Sequence, residues 1–141
     1  MIIIIFFFLT GRLAVHAPKL AFLRMFSSQA VQFLPDDSVD YIYVDARHDY
    51  CGVTEDLTLY WPKLRVGGIL AGHDYLDAAA SRSFGLTSDW SLCADGTVNE
   101  GAVKGAVDDF FAAHGGSLGE MQVIMTPGFY FPSWLAVKTG P

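Results

Sequence analysis

The alternation of strand-like and helix-like segments constrains the fold of this chain more than any other feature. Residues 39–45, Val-Asp-Tyr-Ile-Tyr-Val-Asp, are β-branched and aromatic, which is typical of a β-strand, and this strand ends on a carboxylate. Apolar residues then recur at helical spacing as far as Leu64, and Ile69–Ala71 predicts a second strand. Two strands joined by a helix indicate a right-handed crossover between parallel neighbours. We therefore expect an α/β fold, with helices on the faces of a sheet.

The flanking segments extend this alternation along the chain. Residues 76–99 show no apolar period and are rich in Ser, Asp and Gly, so we expect a long surface loop there. Residues 122–125 and 130–138 predict an antiparallel pair of closing strands. The other expected elements, in chain order, are a strand at Leu20–Phe26, a short helix at Ser28–Leu34 that a serine caps, a turn at Val66–Gly68 and an amphipathic helix from Val103 to His114.

Composition narrows the class of protein. The chain has 141 residues, the size of one domain, and it is 52% hydrophobic and 17% charged, which excludes a disordered tail. Its formal net charge of −6 argues against nucleic acid as a partner, because binding to phosphates needs clustered basic residues. Cys51 and Cys93 are too few for a disulfide scaffold and lack metal-ligand spacing. A reduced, cytoplasmic setting is the default expectation.

The N-terminus carries an unbroken apolar run, Ile2–Leu9. It is too short to cross a bilayer, so we expect no stable membrane span. Three interpretations stay open: a buried strand, a targeting segment cleaved near Val15–Ala17, or a sequence foreign to the fold. If residues 1–17 are a targeting segment, the protein is secreted or organellar instead of cytoplasmic.

Two strand ends carry the residues most suited to chemistry. Asp45 ends one predicted strand and His73-Asp74 ends the next, so the two carboxylates should converge at one edge of the sheet. Paired carboxylates suit a hard divalent ion such as Mg²⁺. His48 would lie at the rim as a general base, since its ordinary pKa is close to neutrality. Two alternatives stay open: these aspartates cap helices or turns, or all four residues serve a metal-dependent hydrolase.

The segments 40–57 and 61–75 resemble class I S-adenosylmethionine-dependent methyltransferases of the small methyltransferase domain 24 type, which is related to the cation-dependent O-methyltransferases. The resemblance is carried by the acidic strand end with His-x-Tyr and by Gly-Gly-x-x-x-Gly-His-Asp-Tyr, and it extends over about Leu20 to Lys138. It implies a Rossmann-like, mostly parallel sheet with an antiparallel C-terminal strand pair. It also implies methyl transfer from S-adenosylmethionine to the oxygen of a small-molecule acceptor, assisted by a divalent metal such as Mg²⁺.

The resemblance also assigns roles to individual residues. Asp45 matches a carboxylate that binds the metal and lies beside the cofactor, and Asp74 matches a second metal ligand. Tyr75 stands where the related enzymes have an asparagine ligand, so His73 is the candidate third ligand. His48 stands in the place of a catalytic lysine, which suggests the role of base. The residues implied in cofactor binding are Ser28, Gln29, Asp45 and Ala46.

One departure from the family pattern concerns the front of the domain. The family begins with a strand, a Gly-x-Gly-x-Gly turn and a second strand that ends on an acidic residue, and neither motif occurs here. The chain therefore resembles a domain that lacks its first two strands, with 20–141 as the C-terminal part of a methyltransferase domain and 1–19 as an apolar segment of uncertain role. Either Ile2–Leu9 fills the gap or the flanking strands pair directly.

This departure leaves an alternative function open, a non-catalytic methyltransferase-fold remnant or interaction module. An apolar edge without a partner would also favour self-association, so a homo-oligomer is a further expectation.

Overall fold

The computed structural model describes residues 23–127 and 131–141. The interpretations of the apolar run Ile2–Leu9 and of the possible targeting segment at 1–17 lie outside the described residues. So does the beginning of the predicted closing strand at residue 130.

Helices and strands alternate along the described chain. The elements, in order, are α1 (Ser27–Ala30), a 3₁₀ turn (Val31–Phe33), β1 (Val39–Val44), α2 (Tyr50–Tyr60), a 3₁₀ turn (Trp61–Lys63), β2 (Leu64–Gly72), α3 (Ala78–Ser83), α4 (Ala102–Ala113), β3 (Gln122–Ile124) and β4 (Ser133–Val137). The predicted α/β fold is confirmed. None of these helices has the length and apolar character that crossing a bilayer requires.

The strands form one sheet in the order β1-β2-β4-β3. β1 pairs with β2 in parallel, whereas β4 is antiparallel to both β2 and β3. Three of the four strands therefore run in the same direction, and only β4 opposes them. This confirms the mostly parallel sheet with an antiparallel C-terminal strand pair. Val44 pairs with Gly72, so the carboxyl ends of β1 and β2 lie side by side.

The core lies between this sheet and the two long helices. The apolar face predicted for α2 is buried at Val53, Leu57 and Tyr60, and α4 buries Val103 and Val107 against it. Burial of such side chains stabilises the fold by roughly 1.5–3 kcal/mol each. The packing of α2 on α4 therefore holds the crossover that connects β1 to β2.

The strand predicted at Leu20–Phe26 is wrong over its described part, residues 23–26. The backbone of Phe26 begins α1 instead of joining a ladder: its carbonyl accepts from the N–H groups of Gln29 and Ala30, and its own N–H donates to Gln29 Oε1. Phe26 therefore stands at the N-cap position, where a serine was expected. Its side chain is 78% exposed, so the apolar run does not mark a buried strand.

The turn predicted at Val66–Gly68 is also wrong, because these residues continue β2. Gly67 donates its N–H to the Lys138 carbonyl, and Lys138 donates back to the Gly68 carbonyl. Gly67 has φ +80°, a conformation that glycine adopts readily, and the register of β2 against β1 is irregular next to it. The glycines therefore bend a strand that remains paired.

The segment 76–99 is more ordered than a surface loop. It contains α3, whose Ala78 and Ser81 are buried. A disulfide that was not predicted from the sequence joins Cys51 on α2 to Cys93. A helix of six residues is too short to leave a clear apolar period, which is why the pattern predicted a loop.

Candidate active site

The paired ends of β1 and β2 bring the predicted carboxylates together. Asp45 directly follows β1, and Asp74 lies two residues beyond β2. The His73 N–H donates to the Val44 carbonyl at 3.0 Å, which continues the ladder past the end of β2. The convergence of Asp45 and Asp74 thus follows from the parallel crossover.

Asp74 is a buried carboxylate held between two imidazoles. Its Oδ2 lies 2.9 Å from Nε2 of His48, and its Oδ1 lies 2.8 Å from Nδ1 of His73. The Asp74 backbone has φ +59°, the left-handed region that L-residues rarely occupy, although Asp tolerates it better than most. This strained backbone conformation in the turn after β2 places the Asp74 carboxylate between the imidazole rings of His48 and His73.

Local capping fixes the position of His48. Asp49 is the N-cap of α2 and accepts the Gly52 N–H at 2.9 Å, so the helix begins immediately after His48. On the other side of the site, Gly72 permits a close approach: a Cβ there would lie 2.7 Å from the Trp134 ring. Any larger residue at position 72 would push the Trp134 indole away from the strand ends.

Burial and neighbouring groups shift the pKa values of Asp45 and His48. Burial raises the pKa of Asp45, and the nearby charge of Asp74 raises it further. The hydrogen bond to Asp74 raises the pKa of His48, which outweighs the opposing effect of burial. His48 therefore retains its proton to a higher pH than an ordinary histidine does.

The site contains a cluster of side chains that could hold a metal ion. It differs from the predicted ligand set in that His48 takes the place of His73. Asp45, His48 and Asp74 each offer a ligand atom, and these atoms lie within 4.8 Å of one another. Two carboxylates and an imidazole suit a divalent cation, so the donor set fits such an ion. His73 lies outside this cluster, with its Nδ1 on Asp74. The Tyr75 hydroxyl donates to Asp108 instead.

Two cavities adjoin the cluster. The smaller one, about 10 Å³, is close to the size of a single water and is lined by Asp45, His48 and Asp74. Trp134 also lines it, and the Trp134 Nε1 is buried without a hydrogen-bond partner among the described residues. A bound water or ligand oxygen would satisfy this donor.

The larger cavity is an open cleft of about 870 Å³. Ser28, Gln29 and Ala46, three of the four predicted cofactor residues, line it. The fourth, Asp45, lines the smaller cavity, and Ala46 contributes to both. The structure therefore places all four predicted residues around two adjoining spaces.

The cleft wall is anchored to the core by Tyr60. This side chain is buried, and its hydroxyl donates to the Ser27 carbonyl at 2.9 Å. The bond connects the first turn of α1 to the end of α2. Tyr60 was predicted only as a core residue, and the helical period that predicted its burial contains no signal for this second contact.

Aromatic side chains that were not predicted from the sequence form the other side of the site. Trp90 stacks on the His48 ring with centroids 4.5 Å apart and planes 10° from parallel. Phe131 lies with its ring centroid 6.4 Å from those of both Trp90 and His73. Trp90 comes from the aperiodic segment 76–99, where the only available signal was a large aromatic residue among polar neighbours.

Known proteins resemble this chain in sequence and in fold. A family model described as a methyltransferase domain matches residues 9–75, which include β1, α2, β2, Asp45 and Asp74. None of the curated proteins is similar enough in sequence to be matched to this chain.

Solved structures share the fold at low sequence identity. A protein from Corynebacterium glutamicum is 17% identical, with a TM-score of 0.55 over 94% of this chain and 54% of its own. A candidate O-methyltransferase from Klebsiella pneumoniae is 16% identical, with a TM-score of 0.57 over 92% and 54%. The O-methyltransferase TomG from Streptomyces achromogenes, involved in tomaymycin synthesis and solved in complex with SAM, is 15% identical, with a TM-score of 0.51 over 82% and 48%.

This chain spans about half the length of these solved structures. The described residues contain the mostly parallel sheet, the antiparallel C-terminal strand pair and the acidic strand ends that the sequence resemblance implied. Residues 9–75 are therefore similar in sequence to a methyltransferase domain, and the described residues share the fold of these solved structures.

Proposed function

We propose that this chain carries the acceptor side of a methyltransferase that transfers a methyl group from S-adenosylmethionine to the oxygen of a small molecule. One observation carries the proposal: the Asp45–His48–Asp74 cluster adjoins a cleft lined by Ser28, Gln29 and Ala46. The family match and the shared fold with TomG, a SAM complex, support this choice of cofactor.

The chain's own residues suit proton removal from an acceptor hydroxyl. His48 presents Nε2 to Asp74 at 2.9 Å, so Nε2 is the nitrogen that donates and Nδ1 is the one left to accept a proton. The Asp74 carboxylate orients the imidazole and stabilises the imidazolium that forms when His48 accepts a proton. The base form exists above the raised pKa of His48, so we expect transfer to accelerate as pH rises through that pKa.

We also propose that a divalent metal ion bound at this site assists the transfer. Asp45 and Asp74 would hold it, with His48 as the nearest third donor and His73 as the predicted alternative. When bound, such an ion lowers the pKa of a coordinated hydroxyl and orients it. If His48 ligates the ion, it cannot act as the base at the same time, so metal dependence distinguishes these two roles.

Calorimetric titration of S-adenosylmethionine into the purified chain, with and without Mg²⁺, tests the proposal. We expect binding that Asp45→Ala weakens at least tenfold. Asp40→Ala is the matched control, because Asp40 lies on the same strand with its side chain 78% exposed and pairs with Arg65. This control should bind as the wild type does.

No binding to a folded, monodisperse sample would overturn the proposal for this chain and favour the interaction module instead. Metal binding that is tight without the cofactor would favour a hydrolase. Equal weakening by Asp45→Ala and Asp40→Ala would show that the strand, not the site, was perturbed.

A further inference from the structure

The His48 imidazole is held on its edge and on its face by different groups. Asp74 contacts the edge at Nε2, and the Trp90 indole covers the face in a near-parallel stack. Trp90 is itself only 5% exposed, and its Nε1 donates to Ser88 Oγ at 3.0 Å. A ring restrained in both ways has little freedom to rotate away from the acceptor side.

Trp90 lies in a segment without regular secondary structure, so something other than a helix or strand must hold it. The Cys51–Cys93 disulfide provides such a link. Cys51 follows His48 by three residues and Cys93 follows Trp90 by three, so the bridge connects the two stacked segments directly beside the stack. The buried Cys93 also donates its N–H to the Thr97 carbonyl at 2.8 Å.

We propose that Trp90 is a positioning residue for His48 and that the Cys51–Cys93 disulfide holds it there. This inference rests on the proposed function, in which His48 is the base. Trp90 acts through the imidazole: the stack fixes the ring plane, and with it the direction in which Nδ1 accepts a proton. The disulfide makes this arrangement sensitive to redox conditions.

The redox step is a simple exchange. A dithiol such as dithiothreitol delivers two electrons and two protons to the Cys51–Cys93 bond, which breaks into two thiols, while the dithiol closes into its own cyclic disulfide. The segment 84–99 then keeps only non-covalent contacts to α2. We expect the Trp90 indole, now without its covalent tether, to leave the His48 face more readily, which weakens one of the two restraints on the ring.

The test is the proton NMR signal of the His48 ring, which stacking on an indole shifts upfield. The signal is identified among those of the chain's four histidines by its absence in His48→Gln. We expect Trp90→Leu, which leaves the disulfide intact, to move the signal downfield, and Trp90→Phe to retain most of the upfield shift. The double variant Cys51→Ala/Cys93→Ala should move the signal in the same direction as Trp90→Leu.

Leu92→Ala is the matched control, since Leu92 lies in the same segment with an exposed side chain and outside both the stack and the disulfide. Its His48 signal should stay at the wild-type position. If the double cysteine variant fails to fold, the folded wild type is reduced with dithiothreitol and the same signal is recorded.

An unchanged signal in Trp90→Leu would overturn the stack on which the positioning role rests, and an unchanged signal after loss of the disulfide would overturn the tether. The same samples are titrated with S-adenosylmethionine. Absence of cofactor binding in all of them would contradict the proposed function, whereas the NMR result would still decide whether Trp90 and the disulfide position His48.

Discussion

A buried charged side chain at each end of the sheet contacts a different kind of partner. At the carboxyl ends of β1 and β2, Asp74 is 7% exposed and contacts the imidazoles of His48 and His73. At the opposite end, Lys138 is 3% exposed, and its Nζ donates to the carbonyls of Trp61 and Leu64 at 3.3 and 2.8 Å.

The different partners give the two charges different roles: the charge of Lys138 stabilises the fold, whereas the charge of Asp74 can take part in proton transfer. Backbone carbonyls have fixed charge and position, so Lys138 closes the junction of β2 and β4, with its ammonium 4.4 Å from the Trp61 ring centroid. The His48 imidazole beside Asp74 can gain or lose a proton, and the cluster adjoins two cavities. We expect changes at Lys138 to affect stability and changes at Asp74 to affect chemistry.

The largest effect on stability is expected for Lys138→Met. The substitution preserves the apolar stem but leaves two buried carbonyls without their charged donor, which should lower the free energy of unfolding by about 2–4 kcal/mol. Urea unfolding measures this change. Lys104→Met is the control, since that side chain is 44% exposed and its pair with Asp108 should contribute at most ~1 kcal/mol.

Cofactor binding by the Lys138→Met variant sharpens the comparison. Under conditions where it remains folded, it should bind S-adenosylmethionine as the wild type does. Lost binding in a fully folded variant would mean that the two ends of the sheet are coupled.

Tyr60→Phe should have an intermediate effect. The substitution removes the hydrogen bond to the Ser27 carbonyl, with a loss of about 1 kcal/mol at neutral pH. Because this bond anchors α1, cofactor binding at Ser28 and Gln29 should weaken as well. Thermal unfolding and calorimetry measure the two effects, and an unfolding change without any binding change would place α1 outside the cofactor site.

Alkaline pH offers a second test of Tyr60. Burial, followed by the charge of Asp56, raises the pKa of Tyr60 from 10.0 to about 12. The protonated phenol therefore contributes stability that is complete below pH 10 and is lost as pH rises towards 12, about 2–3 kcal/mol in total. Since Phe does not titrate, the stability difference between wild type and Tyr60→Phe should shrink and then reverse over this interval.

A smaller effect is expected at Asp37, which shares the left-handed backbone of Asp74 but lies at the Lys138 end, with φ +52°. Its carboxylate is mostly exposed and only 3.7 Å from Lys138 Nζ. Asp37→Gly should relieve the backbone strain and raise the unfolding free energy by about 0.5 kcal/mol. Asp36→Gly, at the neighbouring residue, should lower it, and a loss in both variants would show that the Asp37 carboxylate contributes more than the strain removes.

Sequence patterns within short segments correctly predicted β1, α2 and the end of β2, because these elements depend on the residues of their own segment. The β-branched run to Asp45, the helical period through Leu57 and the strand before His73 each indicate one element. The right-handed crossover then places Asp45 beside Asp74. The convergence of the carboxylates was therefore predictable from the order of elements.

The contacts that complete the site depend on long-range packing. The Cys51–Cys93 disulfide joins residues 42 positions apart, and the stack joins His48 to Trp90 across the same sequence distance. Neither leaves a periodic signal in the sequence. The strand predicted up to Phe26 failed for a related reason, since an apolar run does not reveal that its end will cap a helix and remain exposed.

Asp74→Asn should have the smallest effect on stability and a large effect on chemistry. Asn tolerates the left-handed backbone and keeps the side-chain shape, and removal of a buried charge offsets the weaker bond to His48, so unfolding should change by at most about 0.5 kcal/mol. The pKa of His48, now without its charged partner, should fall towards the ordinary value, and any Mg²⁺ dependence of cofactor binding should disappear. NMR titration of His48 and calorimetry measure both. If Asp74→Asn were strongly destabilised and its His48 titrated as in the wild type, the charge of Asp74 would serve the fold, as that of Lys138 does. The proposed difference between the two ends of the sheet would then be wrong.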